Sequence, residues 1–499
     1  MKPFLNRAGN VKVFNPIWYQ YRSLVGFYPT ISQLNIDPPS TNTLVSTKGH
    51  IKSIREFKNI KFIDISDGSG HENLSIVVRN PEVVLSNVSL KVGQSVEAVG
   101  KWIESTGKQD FELLIGEDSD HKMEIIGDVT DLYPLQKKST SFHFLRSVPT
   151  LRHRTSSLAS ILRFRSFIES KFFEYYNKNG FIKVNPPLIT SSDCEGAGEQ
   201  FVVESLKIEE DKDQELFFDK PAYLTVSTQL HLEVLALSLN RVWTMTPCFR
   251  AENSKTNRHL SEFWMLEAEI CYIEDLHQLT AFVEDMIRFI VTELKSKKNK
   301  IVTSQEQDLV GSRFNKNEVK EMSGRWSTLL SPNKWPTITY SEAIDIINKI
   351  KNKGRSKGRL QWGSSLQTED EKWLAGSHFN SPVFITDYPL SEKPFYMPKS
   401  KSFDPERPTV SCFDLIVPEI GELVGGSLRE HNYDSLILEM NRRNMKIDDM
   451  EWYTSTRKNG SVPHGGFGMG IERLVSYLGA IENIKDVIPF PRYPGSCQC

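Results

Sequence analysis

Hydrophobic and polar positions alternate in short runs over the first quarter of the chain and then change period. From about Leu44 to Val129 the runs IKFIDIS, LSIVV and VGQSVEAVGKWI are separated by turn residues such as DGSG at 67 to 70. Short β-branched runs with no helical period predict a small all-β barrel over 41–129, with a five-stranded OB-fold as the natural candidate. The following run YPLQKKSTSFHFLRSVPTLRHRT has no period and is the most basic local segment, so 130–155 reads as a hinge. Such a charge run either touches a polyanion or is simply solvated.

At Ser156 and Ser157, both plausible caps, the period becomes helical. Leu158, Ile161, Leu162, Phe167, Phe172, Phe173 and Tyr176 recur near a spacing of one helical turn, and Asn179-Gly180 ends the pattern. The spacing predicts a long amphipathic helix, then a strand from Phe181 to Ile189 that meets Pro186-Pro187. AYLTVS and RVWTMTPCF read as further strands and DLHQLTAFVEDMIRFIVTEL as a helix, which makes 156–499 an α+β domain. Residues 296–335 and 350–375 are polar and Lys-rich and are expected to be surface insertions or helical excursions off the main sheet, without a functional role.

Length and composition narrow the class. A chain of 499 residues suits two or three domains, and 39% hydrophobic with 25% charged residues is an ordinary globular balance. A net charge of -2 argues against coating nucleic acid through charge but permits a local basic face. No DNA partner is expected, and with no run of 18 apolar residues, no membrane partner either. The six cysteines show no CxxC spacing, and Cys497-Gln-Cys499 lacks an upstream pair. They read as reduced thiols of an intracellular compartment, and a structural metal is not expected. The first 36 residues carry Lys2, Arg7, Lys12 and Arg22 and no acid before Asp37. Residues 1–40 therefore read as a mitochondrial transit segment, the alternative being a basic extension that binds RNA or nothing.

Three clusters carry candidate chemistry. In CFRAENSKTNRHLSEFWMLEAE, Arg250 and Glu252 stand two apart, as strand residues facing one ligand would, and Phe263 lies on the returning strand. A guanidinium that clamps phosphate, a carboxylate that accepts from an exocyclic amine and a ring that stacks on a base would together hold a nucleotide. An Arg-x-Glu pair is also the pattern of a cross-face salt bridge. In FDLIVPEIGELVGGSLRE, Asp414 and Glu422 flank a turn and Gly425-Gly426 let backbone approach closely, an arrangement able to hold magnesium against phosphates. In HGGFGMGIERL, four glycines precede Glu472 and Arg473 at a helix start. That suits a phosphate site, or the glycines serve close packing. It is neither a Walker A loop nor a dinucleotide fingerprint.

The long helix and strand ending at Pro187, FRAE at 249 to 252 and GMGIER at 468 to 473 resemble, in order, the three signature motifs of class II aminoacyl-tRNA synthetases. With the preceding barrel, residues from about 45 to 494 resemble the aspartyl, asparaginyl and lysyl subgroup. RHLSEFWMLEAE, GELVGGSLRE and VPHGGFGMGIERL through DVIPFPR look asparaginyl within it. The resemblance implies an antiparallel catalytic sheet flanked by helices, and an enzyme that activates L-asparagine with ATP and Mg2+ and passes it to tRNA(Asn), in the mitochondrial matrix and as a homodimer. It places Arg250 on the α-phosphate, Glu252 and Phe263 on adenine, Arg258 or His259 on the γ-phosphate, and Arg473 across the triphosphate, with Gly470 beside it. Asp414 and Glu422 would take the metal. Glu195 and Gln229 match positions that hold the amino acid's ammonium group, and Glu267 and Arg429 match those that read its side chain. In the barrel, Arg55 and Phe62 match an anticodon-contacting arginine and a base-stacking ring, whereas Ser75 stands where the family usually has Gln. Related functions with other outcomes are an aspartyl enzyme of the same subgroup, an AMP-forming asparagine synthetase, which would lack the barrel, and a non-catalytic tRNA-binding paralogue.

Overall fold

The structure, a computed structural model, describes residues 27–499 except 87, 108, 137–139, 193–199, 206–215, 297–304, 313–315, 351–359 and 403. Residues 1–26 of the expected transit segment 1–40 lie outside the described residues, while 27–40 are described and hold the helix Ile31–Ile36, whose Ile31 and Leu34 are buried. The chain divides into two compact units, Met1–Ser160 with Lys297–Ser312, and Ile161–Ser296 with Arg313–Cys499.

The first unit is built on β1 (Leu44–Phe57), β2 (Ile60–Ser66), β3 (Leu74–Arg79), β4 (Ser95–Glu104), β5 (Phe111–Ile115) and β6 (Lys122–Gly127). Strand order β1-β2-β3-β5-β4, closed by a β1–β4 pairing, makes a ring of five strands, and β6 runs along the first half of β4. β1 is long enough to pair β4 with its first half and β2 with its second, and a register shift between Ile51 and Ser53 marks the bend between them. Alternate residues point inward, so Ile63, Ile65, Ile76, Val96, Trp102 and Leu113 fill the ring. Closure removes most free edges, as the short β-rich runs required.

The helix Ser156–Lys178, which belongs to the second unit from Ile161 onward, ends where Asn179-Gly180 predicts. Its buried stripe is Leu158, Ile161, Phe164, Ile168, Phe172 and Tyr175–Tyr176, while Phe173 turns to solvent. The expected strand from Phe181 to Ile189 breaks into β7 (Ile182–Lys183) and β8 (Ile189–Thr190) because Pro186 and Pro187 have no N–H to give a ladder. β8 pairs β9 (Tyr223–Leu224). The large sheet then takes β10 (Arg241–Phe249), β11 (Glu262–Cys271), β12 (Thr337–Thr339), β13 (Val383–Pro389), β14 (Thr409–Val417), β15 (Gly421–Leu428) and β16 (His464–Gly470). Its order is β12-β13-β14-β15-β16-β11-β10-β7, antiparallel except at the two outermost pairs. The α+β class and the antiparallel sheet flanked by helices are as expected.

One face of the sheet is covered by the helix Leu276–Lys295, which opens on a capping box at Asp275 and packs Phe282 against Phe467 of β16. Of the two readings of 296–335, a surface insertion or a helical excursion, the second half takes the helical one, and it is packed into the unit and not idle on the surface. The helix Lys316–Leu329 buries Met322, Trp326 and Leu329, spaced by three and four residues inside a Lys-rich run. Trp326 and Arg325 donate to the carbonyls of Leu478 and Tyr477 at 2.8 and 2.7 Å, closing the C-terminal end of the helix Ile471–Leu478.

Candidate active site

Register explains why the second face is open. Glu267 on β11 lies opposite Gly468 on β16, which lies opposite Gly425 on β15, which lies opposite Asp414 on β14. One row across four strands therefore has carboxylates at its ends and no side chains between them, so the sheet itself is the floor of a cleft. The next row runs Glu269, Gly466, Ser427 and Cys412. A Cβ on Gly466 would lie 2.0 Å from the Glu269 carboxylate, so this glycine is needed for close packing. Of the two readings of the glycine cluster, packing accounts for Gly466, while Gly470 borders the cleft.

Two adjoining cavities occupy this face, and Arg250, Met265, Glu422 and Gly468 line both. Around the first stand Arg250, Glu252, Arg258, His259, Phe263, Glu422, Gly470 and Arg473, every residue assigned to the nucleotide from sequence. Arg250 and Glu252 are not on a strand, as their spacing suggested. β10 ends at Phe249, and Arg250 continues it by one N–H bond of 3.0 Å to the Ser261 carbonyl before the loop begins. The Arg250 guanidinium lies 5.6 Å from the centre of the Phe263 ring, within cation–π range. Arg473 donates to the Glu422 carbonyl at 3.1 Å, with the Glu422 carboxylate 3.6 Å away. Thr256 and Ser254 hydroxyls hold His259 Nδ1 at 2.6 and 3.0 Å. Burial, joined by Arg473, Arg258 and Arg250, pushes the imidazole below its ordinary value against the pull of Glu252. The cavity is thus rich in cations and suited to a polyanion.

The second cavity is bordered by Gln229, Glu267, Glu269, Arg429, Lys393 and Asp414. Arg429 is paired with Glu269, which the sequence reading did not name, through bonds of 3.1 and 3.0 Å, with Ser427 Oγ at 2.7 Å on the remaining nitrogen. Burial opposes the charge on Arg429, yet Glu269 and Glu233 outweigh it and hold the guanidinium above its ordinary value. Glu267 instead accepts from the Ser227 and Thr228 hydroxyls and from the Thr228 N–H, at the start of the helix Gln229–Leu239. Behind Arg429, the fully buried Glu233 accepts from Gln229 at 3.0 Å, from the Tyr453 hydroxyl at 2.7 Å and from Arg457 at 2.5 Å, with His464 Nε2 at 3.2 Å. Glu195 lies outside the described residues.

Sequence reasoning missed Glu269, Glu233, Lys393 and Glu371. Glu269 was within reach of a period-two argument, being two residues past Glu267 on the same strand face. Lys393 and Glu371 carry no signal, since Glu371 sits in the charge run TEDEKW of a segment expected to be idle surface. Asp414 pairs with Lys393 at 2.7 Å, while Glu371 accepts from the Glu422 N–H at 3.3 Å. Burial first, then the Glu422 and Asp414 carboxylates, push Glu371 up to about 7. Its folded state therefore holds the proton more tightly than the unfolded chain. The stabilisation is complete below the ordinary carboxylate value and is lost as pH rises through about 7. In magnesium-free buffer, Glu371→Gln is expected to raise Tm over the parent protein more at pH 8 than at pH 5. An equal gap at both pH values in thermal melts would contradict this.

In the first unit, Arg55 and Phe62 are register partners on β1 and β2, with the guanidinium 5.2 Å from the ring centre. Phe62 is half-buried on the barrel wall and is not a core aromatic, whereas Ser75 is buried.

The family model for class II tRNA synthetases (D, K and N) matches residues 143–494. The mitochondrial asparagine-tRNA ligase of Saccharomyces cerevisiae is 46% identical over 95% of this chain and 96% of its own length. That of Schizosaccharomyces pombe is 41% identical over 92% and 96%. The structure of Pyrococcus horikoshii asparaginyl-tRNA synthetase complexed with asparaginyl-adenylate superposes with a TM-score of 0.78 at 28% identity, covering 94% of this chain and 99% of that one. The three motifs, the antiparallel sheet that carries them and these matches lead to one assignment: the chain belongs to the class II tRNA synthetases of the D, K and N group.

Proposed function

We propose that the chain is an asparagine-tRNA ligase, forming asparaginyl-adenylate from L-asparagine and ATP and passing the asparaginyl group to tRNA(Asn). The observation that carries this reading is a single cleft in which a cation-rich cavity and an amino-acid-sized cavity share Arg250. A carboxylate held in the second cavity meets an α-phosphate held in the first.

In this reading Arg250 neutralises the α-phosphate, Phe263 stacks on adenine with Glu252 accepting from its amine, Arg258 or His259 takes the γ-phosphate, and Arg473 spans the triphosphate. Attack of the asparagine carboxylate on the α-phosphorus forms one P–O bond as the bond to pyrophosphate breaks. Positioning and charge neutralisation supply the rate, so no protein base is required. A terminal ribose hydroxyl of tRNA then attacks the activated carbonyl and AMP leaves.

Asp414 and Glu422, with Glu371 beside them, fit a hard divalent cation. They are oxygen donors on one side of the cleft, and burial first, then the charge of neighbouring carboxylates, raises Asp414 and Glu371. Magnesium bound there would offset phosphate charge. Arg429 donates to the amide oxygen of asparagine. Glu267 and Glu269 make the surrounding wall negative, which disfavours the second carboxylate of aspartate. Gln229 and Glu195 hold the ammonium group.

Arg55 and Phe62 are proposed to meet the anticodon, with residues 41–129 as the anticodon-binding domain, 130–155 as hinge and 156–499 as the catalytic domain. Edge strand β7 and the exposed Phe173, Ile182 and Ile189 support assembly with a second copy. Location in the mitochondrion is that of the two yeast relatives, and the matrix, reached through residues 1–40, is the proposed compartment. The test is ATP–pyrophosphate exchange with asparagine, aspartate or lysine. Exchange with asparagine alone is expected, and exchange with aspartate would move the chain to the aspartyl enzymes.

A further inference from the structure

The two walls of the nucleotide cavity come from segments far apart in sequence. Phe263 stands at the start of β11, and Arg473 in the first turn of the helix Ile471–Leu478. β16 stops at Gly470, opposite Met265. The N–H of Trp264, one residue before Met265 on β11, therefore has no β16 carbonyl beside it. Glu472 takes that N–H on one carboxylate oxygen at 2.9 Å, and its other oxygen accepts from Arg165 Nη1 at 2.6 Å.

Glu472 is 1% exposed and Arg165 is 7% exposed. Arg165 lies in the helix Ser156–Lys178 and also donates to Glu169 at 2.7 Å and to the Val487 carbonyl at 3.2 Å. One carboxylate thus joins the backbone next to Phe263 to the residue next to Arg473, and one guanidinium holds that carboxylate from a third element. A buried pair with every partner satisfied is a rigid joint, because losing either member leaves an uncompensated charge.

We infer that Glu472 is a positioning residue for the nucleotide, fixing the separation of Phe263 and Arg473, and that Arg165 holds Glu472 in place. The inference rests on the reading of this cavity as the ATP site. Neither residue touches the amino-acid cavity, so the effect of loosening the joint is selective for ATP.

The experiment compares Michaelis constants for ATP and for asparagine in pyrophosphate exchange by the full-length parent protein, Glu472→Gln and Arg165→Lys. Glu472→Gln keeps an acceptor for Trp264 but loses the charge that holds Arg165. It is expected to lower kcat/KM for ATP by about 10- to 100-fold, the scale of an ångström-sized misplacement, while KM for asparagine stays within about twofold. Arg165→Lys, which keeps the charge without the fork that reaches three acceptors, is expected to give a smaller change of the same sign. If Glu472→Gln does not fold, the Arg165→Lys comparison decides alone. Equal rises in both Michaelis constants, or a lower Tm with unchanged kinetics, would overturn the positioning role. A parent protein without asparagine-dependent exchange would overturn the reading of the function on which it stands.

Discussion

Arg250→Ala is expected to lower asparagine-dependent ATP–pyrophosphate exchange by about 10^2- to 10^3-fold, the usual cost of removing one preorganised group that stabilises developing charge. The size follows from placement. Arg250 borders both cavities and leans on the face of Phe263, so in the proposed reading it sits where the two substrates meet. Among the described residues no other cation borders both, since Arg258, His259 and Arg473 border only the first cavity and Arg429 and Lys393 only the second. Binding of ATP should weaken less than the rate, because the remaining cations of the first cavity still face the triphosphate. A variant that kept more than about a tenth of the parent rate would be inconsistent with a group acting on the reacting phosphate.

Arg429→Met is expected to abolish exchange with asparagine and to destabilise the fold by about 3 to 5 kcal/mol, the usual cost of breaking a buried pair from one side. Arg429 is 3% exposed and Glu269 1% exposed, so water cannot replace the lost bonds. The two effects are separable. Removing the stranded charge as well, in Arg429→Met with Glu269→Gln, should return most of the stability and none of the activity, as read by denaturant unfolding and exchange. Recovery of activity in the double variant would show that Arg429 serves the fold alone.

Much of this was legible in the sequence, for identifiable reasons. The barrel strands and the helix Leu276–Lys295 follow from period alone, because each buries one face. The strand after Phe181 did not, because paired prolines remove the donors that apolar alternation assumes. The packing of the helix Lys316–Leu329 was hidden because only Met322, Trp326 and Leu329 are buried and the rest is mostly polar and charged. At the site, the residues that the resemblance assigned to the nucleotide all line one cavity, since each motif is local in sequence. Partnerships across strands were not visible. Which of Glu267 and Glu269 faces Arg429 depends on the register of β15 on β16 and of β16 on β11, and a single chain segment does not state that. Glu371 approaches Glu422 only through the tertiary fold, from a helix with no apolar stripe.

The most direct test of the account is aminoacylation of total mitochondrial tRNA by the purified protein with ATP, magnesium and either labelled asparagine or labelled aspartate. The account predicts asparagine on tRNA(Asn) and no incorporation of aspartate. Charging with aspartate, or adenylate formation without transfer to any tRNA, would contradict it.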